Sequence, residues 1–128
     1  MSIYVAHFIV LEKNFWYLPG SGSEVFRLSE KHRLVSQLFE ATDATSAYDK
    51  ANEMLGGLSD THCDGEGDRT AYVGIGMHEL EEVFLAGKPM NEAVRQPYGV
   101  DVGNILLTLP MPEVRPREKL AVFAQNAV

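Results

Sequence analysis

Residues 32–57, HRLVSQLFEATDATSAYDKANEMLGG, decide the fold. The stretch reads as one strand feeding one helix. From Asp43 to Leu55 the apolar residues fall at Ala44, Ala47, Tyr48, Ala51, Met54 and Leu55. Offsets of three and four put them on a single stripe at about 3.6 residues per turn. Thr42 or Asp43 can cap the first free N–H groups, and Gly56-Gly57 can supply a left-handed stop. The small alanines bring the helix close to whatever it packs on. The remaining chain must supply a sheet to cover that stripe.

Upstream, residues 2–12 (SIYVAHFIVLE) carry two alternating sets, Ile3/Val5/Ile9/Leu11 and Tyr4/Ala6/Phe8/Val10, and both are apolar. A strand of that kind is central and covered on both sides. One helix covers one side. The other cover is either the late segment from Val102 to Val128 or a second copy of the chain, and a symmetric homodimer is the expectation. His7 is the polar exception, and a satisfied core or edge histidine is the simpler reading. Phe15-Trp16-Tyr17-Leu18 precedes the turn Pro-Gly-Ser-Gly-Ser, and the cluster is a core plug or a binding patch with Trp16 as anchor. Val25 to Ala41 continues the sheet. Its polar break, residues 29–33, leaves open a hairpin turn or one long strand.

Downstream, residues 58–69 form a polar loop that invites a metal test. As a calcium loop, Asp60, His62 and Asp64 would take positions one, three and five. Position twelve is then Ala71, where a bidentate Glu is required. As a zinc site it offers only adjacent His62 and Cys63, with no second cluster at ligand spacing. A solvated turn is the better reading, and neither a metal nor a cofactor is expected. Residues 70–85 (TAYVGIGMHELEEVFL) begin as a strand with Ala71/Val73/Ile75/Met77 on one face and Tyr72/Gly74/Gly76/His78 on the other. Alternate glycines let something lie close against that face. The parity changes after His78, which a bulge or bend near Met77–His78 explains. Residues 86–100 hold two turn sequences around a single helical turn at 90–95, and residues 102–109 make a strand ended by Pro110. The last segment starts a helix near Pro116 and docks through Leu120, Val122 and Phe123.

A chain of 128 residues with 45% hydrophobic content is expected to be one folded domain over 1–128. The net charge of −7 argues against nucleic acid as a partner, because phosphate contacts need clustered Lys and Arg. The same acidity suits a basic protein partner. The lone Cys63 excludes an internal disulfide, and the opening strand has no basic residues before it and is too short to span a bilayer. The expectation is a cytoplasmic protein that neither crosses nor anchors in a membrane.

No Gly-x-Ser-x-Gly, Walker loop, His-Glu-x-x-His or Cys-x-x-Cys is present, and Gly-Ile-Gly lacks the third glycine of a dinucleotide fingerprint. Three stretches, YVAHFIV (4–10), FEATDATSAYDKANEML (39–55) and TAYVGIGMHELEEVF (70–84), together resemble a family of small bacterial domains of unknown function. The resemblance implies an α+β fold and a bacterial or phage origin, and it brings no catalytic residues. The expected architecture is α+β, a mainly antiparallel sheet of four to six strands with the 43–55 helix on one face. The first functional expectation is a non-enzymatic binding protein of immunity or inhibitor type that occludes a basic toxin or effector. Its candidate contacts are Glu79, Glu81, Glu82, the loop acids Asp60, Asp64, Glu66 and Asp68, and Trp16. The second is a small enzyme or ligand-binding domain with a site over strand 71–78, using Tyr72, His78 and His7.

Overall fold

A computed structural model describes residues 2–17, 25–63, 69–83, 100–108 and 110–124. In chain order these form β1 (Ser2–Tyr17), β2 (Val25–Ala41), α1 (Ala44–Gly57), β3 (Asp60–Cys63), β4 (Arg69–Val83) and β5 (Val100–Leu106). A 3₁₀ turn (Arg117–Lys119) and the short helix α2 (Ala121–Ala124) follow. The strands make one five-stranded sheet in the order β3-β4-β1-β2-β5, every pairing antiparallel. With one principal helix packed on it, the fold is α+β. β1 is the central strand, as its two apolar faces require.

β2 is a single strand of 17 residues, so residues 29–33 are not a turn. They pair with the polar residues of β1: Lys31 opposes Glu12 and Glu30 opposes Lys13. Opposite charges across a ladder let both strands run on past the apolar core. The loop expected at 58–69 is also partly strand, because β3 pairs with Arg69–Tyr72 at the start of β4. Residues 64–68 and the turns at 86–99 lie outside the described residues.

The helix begins as its capping residues dictate. Asp43 is extended at the N-cap and its Oδ1 accepts from the Ser46 N–H at 2.7 Å, which lowers the Asp43 pKa. The stop differs from expectation. Gly56 and Gly57 continue the helix, and the C-cap is Leu58 in right-handed geometry, its N–H bonding the Leu55 carbonyl at 3.1 Å. The stripe faces the sheet as read, with Ala47, Ala51 and Met54 buried against Tyr4, Ala6, Phe8, Val10 and Phe39.

β4 carries two register shifts against β1. One skips His78, where the parity change pointed. The other skips Ile75 and has no counterpart in the sequence reading. Between them they correct the expected faces. Gly74 opposes Val10 on the helix side, whereas Gly76 opposes Ile9 on the far side. A Cβ on Gly74 would stand 2.6 Å from the Leu55 carbonyl oxygen, and one on Gly76 would stand 2.5 Å from Val114 Cγ1. Each glycine therefore admits a different part of the chain.

The C-terminal segment wraps the sheet. Leu107 N–H bonds the His32 carbonyl at 2.8 Å, still on the β5 edge. By Val114 the chain has crossed to β4 on the face away from α1, where Ile9 is only 1% exposed. Arg115 N–H then bonds the Met77 carbonyl at 2.9 Å, beyond the stretch that β3 covers. Past Pro116 the chain reaches the helix side, where Leu120 and Val122 are buried in the main core. Phe123 meets Tyr48 edge-on at 5.8 Å, and the Arg117 guanidinium lies 4.1 Å from the Phe123 ring centre. The late segment therefore supplies part of the second cover. Among the described residues no helix is long and apolar enough to cross a membrane.

Ala51 has no exposed surface and belongs to the core between the helix and the sheet. Ala51→Asp would bury an unpaired carboxylate there, and urea unfolding should show a loss of about 3 kcal/mol.

Candidate functional site

The three glutamates of β4 take three different situations. Glu79 and Glu81 oppose His7 and Val5 on the face away from α1, while Glu82 opposes Tyr4 on the helix side. Glu79 is already engaged. It accepts from the Arg115 guanidinium, from Ala121 N–H at 2.6 Å and from Leu80 N–H at 3.0 Å. Its carboxylate anchors the turn of the C-terminal segment. Glu81 is exposed, and Glu82 is half-buried. The side chains of Trp16 and Asp60, with Asp64, Glu66 and Asp68, lie outside the described residues.

The alternative trio does not converge. Tyr72 opposes Glu12 on the helix side, and His7 lies on the other face. His78 occupies a bulge, where Nδ1–H donates to the Glu113 carbonyl at 2.8 Å. The space over Gly74 and Gly76 is filled by Leu55 and Val114. Strand 71–78 thus receives the chain's own segments where a ligand site was expected. Among the described residues no group of three His, Cys, Asp or Glu could hold a metal ion.

The far face of the sheet has a polar centre in an apolar field. His7 Nδ1 lies 2.6 Å from Ser36 Oγ on the neighbouring strand. Burial lowers the His7 pKa below its ordinary value of 6.5, against the opposing charge of Glu81 and with the help of His78. Around this pair Ile3, Val5, Leu11, Leu34 and Leu38 are half-buried. Farther out Val73 and Ile105 are exposed, at 41% and 57%.

A second feature lies on the helix side, where α1 ends. A cleft of about 270 Å³ has Val10 and Val35 as its apolar floor and Leu58 and Tyr72 on one wall. Arg33, Gln37, Asp101 and Asn104 line the rest. Below it Glu12 is 7% exposed, bonded by Arg33 Nε at 3.2 Å and Asn14 Nδ2 at 3.3 Å. Burial alone would raise the Glu12 pKa, but the Asn14 hydrogen bond and the Arg33 charge bring it below the ordinary value. Gln37 Nε2 donates to Asp101 Oδ1 at 2.7 Å. The sequence reading passed over these four lining residues. One signal was present: counting by twos from Val35 puts Arg33 and Gln37 on the helix side, where apolar residues belong.

Comparison with protein-family models, with curated proteins and with solved structures finds no match to this chain.

Removing the Glu79 carboxylate should release the C-terminal segment. Glu79→Ala is expected to lower stability by about 3 kcal/mol, since it unmatches the Ala121 and Leu80 N–H groups together and leaves a partly buried Arg115 only its 3.7 Å pair with the exposed Glu113. Hydrogen exchange at the Arg115 and Ala121 amides should accelerate before that of β1.

The lowered pKa of His7 carries a sign. The unfolded chain binds more protons than the native one between the two pKa values, so stability rises with pH there. The contribution is present above 6.5 and is lost as pH falls through the lower native value. Urea midpoints at about pH 7.5 and 5.5 should differ in the wild type, and the difference should shrink in His7→Asn.

Proposed function

We propose that the protein is a non-enzymatic binding protein of the immunity or inhibitor kind, using the sheet face opposite α1 to occlude a basic protein partner. The observation that carries this reading is the incomplete cover of that face. Val5, Leu11, Leu34 and Leu38 stay half-buried, and Val73 and Ile105 stand exposed. Soluble chains seldom leave such a surface without a use. Glu81 is exposed beside Val5, and the whole chain carries a net charge of −7. An apolar centre with acidic groups at its margin suits a partner with an apolar patch and a basic rim. A cytoplasmic setting fits the lone Cys63.

In the absence of that partner a second copy is the readiest occupant of the same face. The isolated chain is therefore expected to form a symmetric homodimer. Light scattering at micromolar concentration tests this, and a mass near the 14.2 kDa of one chain would overturn it.

The partner itself is best sought in the product of the neighbouring gene. Mixed with the protein, a basic product should protect amides of β1 and β2 and bind more weakly as salt rises. Glu81→Lys should weaken the complex at least tenfold with the melting temperature unchanged. Protection confined to the helix side, or indifference to Glu81→Lys, would sink the proposal.

A further inference from the structure

The middle of the face opposite α1 is crossed by one polar row. Read across the ladders, that row is Glu79 on β4, His7 on β1 and Ser36 on β2. Along β1 the neighbours of His7 on this face are Val5 and Ile9, and along β2 Ser36 stands between Leu34 and Leu38. A titratable ring therefore sits at the centre of the surface that a partner or a second copy would cover.

The surroundings of the ring decide what covering it does. Nδ1 lies 2.6 Å from Ser36 Oγ, whereas Nε2 has no hydrogen-bond partner among the described residues. His7 is only half-buried, so solvent reaches the ring while the face is open. The nearby carboxylates are poorly placed to take over from solvent. Glu79 is held by Arg115 and by the Ala121 and Leu80 N–H groups. Glu81 opposes Val5, a diagonal step of about 7 Å between backbones, and is exposed. His78 turns its Nδ1 to the Glu113 carbonyl, and the Glu113 carboxylate pairs with Arg115 at 3.7 Å. On β2 the titratable groups of this face are His32 and Glu40, each four residues from Ser36, about 13 Å along the strand. Beyond Ser36, β5 presents Gly103.

Resting on the reading that this face is the docking surface, we propose that His7 makes docking pH-dependent: the face closes on a second copy with His7 neutral, and a proton on the ring opens it. A neutral imidazole loses little when covered. An imidazolium loses its hydration and gains no acceptor for Nε2–H, and the charged form is the costlier one to bury. Burial already holds the His7 pKa below 6.5 in the single chain, and a second layer of cover lowers it further. Closure then expels protons, so association is strongest above the histidine range and weakens as pH falls through it. A symmetric dimer covers the ring of both copies, which doubles the effect in free energy.

Sedimentation equilibrium of the intact chain at about pH 7.5 and 5.5 tests this. The dimer dissociation constant should be at least about fivefold higher at the lower pH. His7→Asn gives Ser36 a hydrogen-bonding neighbour that does not titrate, and its dimer should hold equally at both values. His32→Asn should keep the wild-type dependence. In ring-proton NMR of the wild type, the His7 titration midpoint should fall as rising concentration carries the chain from monomer to dimer. Equal dissociation constants at the two pH values, a dependence that survives His7→Asn, or a midpoint that stays or rises on dimerisation would each overturn the inference and leave the docking face standing. A monomer at both pH values would overturn the face as a self-association surface, and this inference with it.

Discussion

Two extra residues in β4, Ile75 and His78, set how everything else fits together. In an unbroken ladder Gly74, Gly76 and His78 would share one face, and the helix and the C-terminal segment would compete for it. The shift at Ile75 turns Gly74 toward α1 and Gly76 toward Val114. Both sides of one strand can then be approached at distances a side chain would forbid. The shift at His78 moves Leu80 to the helix side and aims Glu79 at the far side and the edge. Bulges also bend and twist a strand, and here the bend falls where the C-terminal segment crosses from one face to the other.

Glu79 is the electrostatic consequence of that geometry. Its carboxylate receives a guanidinium and two backbone N–H groups. A carboxylate with this many donors holds several groups at once, and its removal leaves them unmatched together. The segment it secures buries Leu120 and Val122 in the helix-side core while Val114 shields the opposite side. A single tether of this sort links two half-cores that the sheet would otherwise keep apart.

Much of this was legible in the residues. The helix stripe, the cap at Asp43, the central place of β1 and the docking of Leu120 and Val122 follow from period and side-chain type, because burial imposes those patterns. The bulge at His78 was legible because it switches an apolar set from one parity to the other. The bulge at Ile75 was not, since glycine on either side carries no polarity to betray a switch. Glu79 read as a surface acid for a related reason: its partners, Arg115 and Ala121, lie more than thirty residues on, and their approach depends on a chain crossing that no local pattern encodes. The cleft was hidden in the same way. Asp101 meets Gln37 across a ladder whose register is set by a shift between Ser36 and Gln37.

The two faces of the sheet place opposite demands on the same central strand. On the helix side, polar groups gather where α1 runs out and the apolar cover ends, and they are matched among themselves: Glu12 with Arg33, Gln37 with Asp101. Burying such pairs contributes little net stability, because desolvation offsets most of their attraction. A fold seeking stability alone would place aliphatic side chains at Arg33 and Gln37, extending the surface of Val35. On the far side the opposite holds, with aliphatic residues kept where solvent reaches them and only the His7–Ser36 pair at the centre. Each face thus departs from what packing would select, one by polarity within and the other by apolarity without. Stability alone selects neither departure, and both fall on one small sheet.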